Sequence, residues 1–132
     1  MNAAFRAEVS RPTPVAGVGG GADRAAVEVV RMHGLLDRSA TDEMTGVRAR
    51  LVGSGLDVLV LDLADVSYLS STGIALLVGV LAEARSEGIE VRASGLSDHY
   101  RHIFELTRLV ELMTCYPDER SAVAGVAPVA DG

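Results

Sequence analysis

Three hydroxyl side chains and a glycine, at residues 70–73 (Ser-Ser-Thr-Gly), form the stretch of the chain best suited to chemistry. The apolar run at residues 58–61 before it predicts a buried strand, and the run at residues 74–82 after it predicts a helix. A strand that delivers hydroxyls to the start of a helix places them at the positive end of the helix dipole. That position favours a helix cap, here Ser71 or Thr72, and it also favours a phosphate group.

The sequence does not support a catalytic or a metal-binding site, because the partner residues that such a site requires are missing. A nucleophile at Ser71 requires a base within reach, and the chain shows neither a G-x-S-x-G elbow nor a triad. Asp62 and Asp65 stand three apart where a strand is predicted to end, which favours solvated loop acids over an acid–base pair. His99 and His102 fit one helical face, but no cysteine or acid stands at a convincing ligand spacing. We therefore predict no enzyme, no metal site and no cofactor, with surface or capping roles for these histidines.

Composition narrows the class of protein. The 132 residues are 48% apolar and 23% charged, as expected for one soluble globular domain. A net charge of −6 argues against a nucleic-acid partner, because phosphate backbones would be repelled. The longest apolar stretch, residues 74–82, is far short of the roughly 20 residues that span a bilayer. The single cysteine, Cys115, cannot form an internal disulfide, and the N-terminus lacks a signal-peptide pattern, so a cytoplasmic protein is predicted.

The elements that position the hydroxyl cluster alternate between strand and helix. The predicted order is strand, strand, helix, strand, helix, strand, helix, strand, helix. This order predicts an α/β fold, with a mostly parallel mixed β-sheet of about five strands packed against about four helices. Within it, Gly34 suits a turn, Asp37 begins the next helical segment and Thr41 is the expected N-cap of the first helix.

The chain is predicted to contain one domain with two flanking segments. Residues 1–25 predict a flexible N-terminal segment that holds a short edge strand and a Gly-rich loop at residues 17–21. That loop has no Lys-Ser/Thr after it and no buried strand before it, so it does not predict a nucleotide site. Residues 26–125 form the domain, and residues 126–132 are a C-terminal tail that is expected to fray.

The segment from Asp62 to Gly73 closely resembles the signature of the STAS domain, the family of the anti-sigma factor antagonists. That signature has an acid, a hydrophobic residue, a valine two residues before an aromatic, a further hydrophobic residue, and then Asp/Ser-Ser-Ser/Thr-Gly. Residues 34–37 (Gly-Leu-Leu-Asp) resemble the turn after the family's second strand, and residues 101–107 resemble its third helix. The resemblance covers about residues 26–125 and implies the STAS fold.

The resemblance implies a switch protein. In this branch of the family, the unphosphorylated antagonist captures a partner that is both an anti-sigma factor and a serine kinase, which frees the sigma factor. The kinase phosphorylates the serine at the start of the second helix, and a separate serine phosphatase reverses this. The matching acceptor is Ser71. Ser70 stands where many members have Asp, and Thr72 where many have Ser, so both remain alternate acceptors.

The implied partner-binding surface lies around the acceptor. Asp37 matches the family acid that usually lies near the acceptor, and the exposed side of the helix at residues 74–82 completes the docking face. The implied partner-binding residues are Asp37, Ser70, Ser71, Thr72 and Gly73. Two further roles of the same domain type stay open: an unmodified accessory subunit of a transporter, and a scaffold component of a signalling assembly.

Overall fold

Five strands form one sheet within residues 4–12 and 25–126, which are the residues that the computed structural model describes. Their order across the sheet is the same as their order along the chain. The first pair is antiparallel and the other three neighbouring pairs are parallel. The strands are β1 (Arg6–Ser10), β2 (Val27–Leu36), β3 (Val58–Leu69), β4 (Glu90–Ser94) and β5 (Thr114–Tyr116). The predicted mostly parallel mixed sheet is confirmed.

Four α-helices and two short 3₁₀ turns cover this sheet in the described part of the chain. None of these helices combines the length and the apolar character needed to cross a membrane. The helices are α1 (Thr41–Leu51), α2 (Ser71–Ser86), α3 (Asp98–Leu106) and α4 (Glu119–Ala124), and the 3₁₀ turns span Arg38–Ala40 and Leu109–Glu111.

The two faces of the sheet carry unequal layers. Apolar side chains of α1, α2 and α3 pack in the main core together with Leu59 and Leu61 of β3. Ala122 of α4 packs in a smaller cluster with Val58 and Val60. Because successive residues of a strand point to opposite faces, α4 lies on the face opposite to the other three helices. The buried run of β3 is therefore apolar on both faces, as a strand covered on both sides requires.

The strands β2 and β3 extend further than the sequence predicts. Gly34, predicted to form a turn, lies inside β2 with a φ of 89°. Asp62 and Asp65, predicted as loop acids, lie inside β3. These three predictions are wrong because the second half of β3 keeps its pairing with β2 although its own side chains are mostly polar or exposed.

Two β-bulges hide this second half of β3 from pattern analysis. The first bulge lies just before the pair His33–Asp65, and the second lies just before the pair Leu35–Tyr68. Each bulge inserts one extra residue into β3, which breaks the alternation of side chains between the two faces. Residues 64–68 therefore lack the period-2 pattern by which a half-covered strand is recognised.

The first helical segment begins one turn earlier than predicted. The Asp37 carboxylate accepts a hydrogen bond from the Ser39 N–H at 2.9 Å and so caps the 3₁₀ turn. Thr41, the predicted N-cap, instead donates its hydroxyl to the Arg38 carbonyl at 2.6 Å. The prediction for Thr41 is wrong because the 3₁₀ turn runs directly into α1, which leaves Ala40 without a side-chain cap. Asp37 does begin the helical segment, as predicted.

The predictions for the Gly-rich loop at residues 17–21 and for the tail from residue 127 onwards lie outside the described residues. The edge strand predicted near the N-terminus is confirmed as β1.

Candidate functional site

The carboxyl ends of β2 and β3 meet at one edge of the sheet and hold the hydroxyl cluster there. Leu36, the last residue of β2, pairs with Leu69, the last residue of β3. The Ser70 N–H then donates to the Leu36 carbonyl at 3.1 Å. Because Asp37 directly follows Leu36, this hydrogen bond brings Asp37 to the same edge as residues 70–73. All the predicted partner-binding residues therefore lie at this edge, which we call the acceptor edge (Asp37 and residues 70–73).

Ser70 provides the cap of α2. Its backbone is extended, with φ −85° and ψ 171°, and its Oγ accepts a hydrogen bond from the Gly73 N–H at 3.0 Å. The prediction that Ser71 or Thr72 caps the helix is wrong. Both residues already belong to the first turn of α2, whereas a side-chain cap comes from the extended residue just before that turn.

The hydroxyls of Ser71 and Thr72 are left for other chemistry. Both residues are exposed, and neither hydroxyl makes a hydrogen bond to any residue that the structure describes. Ser71 is the first residue of α2, at the positive end of the helix dipole. A phosphate at that position would gain about 0.3–1 kcal/mol from the dipole. The acceptor edge can therefore carry a covalent phosphate without a penalty to the helix.

Gly73 allows the start of α2 to pack directly on β2. A Cβ at this residue would lie 1.9 Å from the Leu36 carbonyl oxygen and 2.7 Å from the carbonyl carbon. Those separations are far inside van der Waals contact, so every residue other than glycine would displace the helix from the strand. The glycine thus sets how closely Ser71 and Asp37 approach each other.

The carboxyl group of Asp37 remains ionised at this edge. The Ser39 hydroxyl, and after it the Ser39 N–H, donate to the carboxylate and hold the pKa of Asp37 below its ordinary value. A negative charge therefore stands at the acceptor edge before any modification. A phosphate on Ser71 would increase that negative charge.

The side chains on the outer side of α2 are apolar next to the acceptor edge. Ala75 is exposed, and Ile74 and Val78 are half-buried at the rim of the core. An exposed apolar surface of this kind can pack against a partner. This surface is the one that the sequence predicts as the docking face.

The histidines do not assemble a metal site. His99 and His102 are exposed on α3, as expected for surface residues. His33 lies in β2, with its Nδ1 3.3 Å from an Asp65 oxygen and its Nε2 3.5 Å from a Glu8 oxygen. Within residues 4–12 and 25–126, no three His, Cys, Asp or Glu residues are arranged to hold a metal ion.

A cluster of charged side chains lies on the face of the sheet that α4 covers. It includes Asp62, the first acid of the signature. Arg31 donates to both oxygens of Glu119, at 2.8 and 2.5 Å, and the Glu119 carboxyl group lies close enough to Asp62 to shift its pKa. Burial, and then the neighbouring Glu119 carboxyl group, raise the pKa of Asp62. The hydrogen bond from Arg31 lowers the pKa of Glu119. The pKa values of the two carboxyl groups are thus shifted in opposite directions, and the Arg31–Glu119 ion pair ties α4 to β2.

Sequence reasoning missed this cluster because its three members are far apart in the chain. Arg31 and Asp62 are register partners on β2 and β3, and Glu119 is the first residue of α4. No spacing motif connects them. Only the strand register, together with the position of α4 on the sheet, places them together.

The substitution Asp62→Asn is expected to stabilise the domain by about 0.5 kcal/mol at pH 7, the size of a partly exposed charge interaction. An acid whose pKa is raised on folding stabilises the fold below its unfolded pKa, and this contribution is lost as the pH rises through the folded pKa. Asparagine keeps the acceptor for the Ala64 N–H, which lies 3.0 Å from Asp62 Oδ1, and offers Glu119 a permanent N–H. Urea unfolding should show that the substitution raises the free energy of unfolding more at pH 7 than at pH 4. An equal increase at both pH values would show that the pKa of Asp62 is not raised by folding.

Comparison with known proteins supplies the family. The STAS domain family model matches residues 23–122. The chain is 33% identical over 84 residues to the anti-sigma-B factor antagonist of Staphylococcus aureus, a match that covers 64% of this chain and 78% of that protein.

Solved structures share the fold. The Bacillus cell fate determinant SpoIIAA in the phosphorylated form has a TM-score of 0.61 at 19% identity, covering 75% of this chain and 89% of that one. A sulfate transporter family protein from Wolinella succinogenes has a TM-score of 0.66 at 20% identity, covering 75% and 83%. The sequence match extends over most of the chain, and the chain belongs to the STAS domain family.

Proposed function

We propose that this protein is an anti-sigma factor antagonist that phosphorylation of Ser71 switches off. In the unphosphorylated form it binds an anti-sigma factor that is also a serine kinase, and the sigma factor is freed. The kinase then transfers a phosphate from its own ATP to Ser71, which weakens the complex, and a serine phosphatase restores the binding form. The name of the Staphylococcus aureus relative, an anti-sigma-B factor antagonist, supports the antagonist part of this proposal.

The proposal rests on one observation about the hydroxyl cluster. The Ser71 hydroxyl is exposed and makes no hydrogen bond to the described residues, whereas the Ser70 hydroxyl accepts from the Gly73 N–H. For phosphate transfer by a kinase, the acceptor hydroxyl must be free to align with the terminal phosphate of ATP, which the hydroxyl attacks. The Ser70 Oγ is instead held in place by its contact with the Gly73 N–H, so it is less free to align for the transfer. Ser71 is therefore the preferred acceptor, with Ser70 and Thr72 as alternates.

The switch acts through the charge of the surface. A phosphate on Ser71 adds about −1.5 to −2 charge at the same edge as the ionised Asp37. The helix dipole stabilises that charge within the free domain, so the fold survives. A partner that packs on the acceptor edge must strip water from the phosphate, which costs several kcal/mol unless a matching cation is present. The complex is therefore weakened although the domain remains folded.

The substitution Ser71→Asp is expected to weaken binding to the cognate anti-sigma factor at least about tenfold, which corresponds to about 1.4 kcal/mol. The added carboxylate imitates part of the phosphate charge at the first residue of α2. The matched control is Ser86→Asp, which puts the same charge on an exposed residue at the opposite end of the same helix. Isothermal titration calorimetry measures both. Equal affinities of wild type and Ser71→Asp would contradict the electrostatic switch.

An unmodified contact surface is the second candidate function. The fold similarity to the sulfate transporter family protein supports an accessory role in transport, with the outer side of α2 as a permanent contact. A scaffold role in a signalling assembly would use the same face. A neighbouring gene for a small ATPase-type kinase favours the switch, whereas a neighbouring transporter operon favours the accessory subunit.

A further inference from the structure

The strand β3 runs beyond its neighbour β4 at the acceptor edge. The β3–β4 ladder ends where Asp62 faces Ser94, whereas β3 continues to Leu69. Beyond that point, among the described strands, β3 pairs only with β2. The chain after β4 turns away at Gly95, where the φ is 77° and a Cβ would lie 2.6 Å from the Ala64 Cβ. The far part of β3 therefore presents one edge without a strand partner.

The hydroxyl of Tyr100 supplies the partner that β4 does not. The Leu69 N–H donates to Tyr100 Oη at 3.1 Å. Tyr100 lies in the first turn of α3, and its half-buried ring packs against the main core. The ring is also in edge contact with His99, with centroids 5.1 Å apart. A hydroxyl on a packed ring is held in place, so this hydrogen bond fixes the end of β3.

A cavity lies beside this hydrogen bond, and both Leu69 and Tyr100 line it. It has a volume of about 210 Å³ and lies between the free edge of β3 and the turn before α3. Ala64 and Ser67 line it on the strand side, and Leu96 and Tyr100 line it on the other side. Between Ala64, against which Gly95 packs, and Leu69, the edge of β3 faces this cavity. Tyr100 is the residue through which α3 contacts the end of this edge, at Leu69.

We propose that Tyr100 is a positioning residue for the phosphoacceptor, an inference that rests on the proposed function of Ser71. Three hydrogen bonds enclose the acceptor: Leu69 N–H to Tyr100, Ser70 N–H to the Leu36 carbonyl, and Gly73 N–H to Ser70 Oγ. The first of them comes from α3, outside the signature segment. Because small displacements of a reacting group slow a reaction strongly, loss of the Tyr100 hydroxyl should slow transfer of phosphate to Ser71.

The first test is independent of any kinase. Tyr100→Phe keeps the packed ring and removes Oη. Amide hydrogen exchange at Leu69, measured by NMR, is expected to become about tenfold faster, the effect of one lost hydrogen bond. The control Tyr116→Phe removes the hydroxyl of a half-buried tyrosine in β5 and should leave exchange at Leu69 unchanged. Unchanged exchange at Leu69 in Tyr100→Phe would overturn the inference.

The second test uses the cognate serine kinase with ATP. For Tyr100→Phe, kcat is expected to fall about tenfold with KM unchanged, because the docking face is intact while the acceptor is less fixed. The share of phosphate on Ser70 and Thr72 should also rise, which a general loss of stability would not cause. A wild-type kcat and a wild-type site distribution would overturn the positioning role. If the wild type itself receives no phosphate, the proposed function fails, and exchange at Leu69 alone decides whether Tyr100 fixes the strand.

Discussion

The substitution Gly73→Ala is expected to destabilise the domain by about 3 kcal/mol, the combined effect of overpacking and a disrupted buried hydrogen bond. The new Cβ would lie 1.9 Å from the Leu36 carbonyl oxygen, so α2 must move away from β2. That movement breaks the hydrogen bond from the Ser70 N–H to the Leu36 carbonyl and displaces the Ser70 cap. Urea unfolding followed by circular dichroism measures the loss.

Gly46→Ala is the matched control for this loss. Gly46 is an exposed residue inside α1, and a Cβ there would meet no atom within 4 Å. Alanine should therefore stabilise the domain by about 1 kcal/mol through helix propensity alone. The two glycine substitutions, both within helices, are thus expected to have opposite signs. A Gly73→Ala protein as stable as the wild type would show that the close approach of α2 to β2 is not required.

Ser71→Ala is expected to reduce phosphorylation by the cognate kinase at least about 100-fold, because it removes the attacking hydroxyl while the docking surface stays intact. Its stability should change by less than about 0.5 kcal/mol, since the exposed hydroxyl makes no bond to the described residues. Ser70→Ala should behave in the opposite way. It removes the cap of α2, costs about 1 kcal/mol, and still accepts phosphate on Ser71, at a lower rate because one of the three hydrogen bonds around the acceptor is lost.

Measuring radiolabelled phosphate incorporation and urea unfolding for both variants separates the two serines. The expected pattern is loss of phosphate without loss of stability in Ser71→Ala, and loss of stability with phosphate still transferred to Ser71 in Ser70→Ala. The reverse pattern, with full incorporation in Ser71→Ala and none in Ser70→Ala, would assign the acceptor role to Ser70.

The order of elements could be predicted from the sequence because each element carries its own local signal. The apolar run at residues 58–61 is buried on both faces, and glycines such as Gly53 and Gly88 end helices in positive-φ turns. The hydroxyl cluster between a strand and a helix could be recognised in the same way. These signals depend only on neighbours in the chain.

The details that needed the structure depend on partners distant in the chain. The extension of β3 to Leu69 follows from pairing with β2 through two bulges, which remove the alternation that marks a strand. The choice of Ser70 as the cap follows from where the helix starts, and propensity alone does not distinguish three consecutive hydroxyls. The hydrogen bond from Leu69 to Tyr100 joins β3 to α3 beside the cavity.

The most direct measurement of the switch compares two forms of the wild-type chain, unmodified and carrying phosphoserine at position 71, as ligands of the cognate anti-sigma factor in isothermal titration calorimetry. We expect tight binding of the unmodified form and an affinity at least about 100-fold lower for the phosphorylated form, because a dianion at the same edge as the ionised Asp37 must lose its water at the interface. Equal affinities of the two forms would show that the phosphate on Ser71 does not control binding.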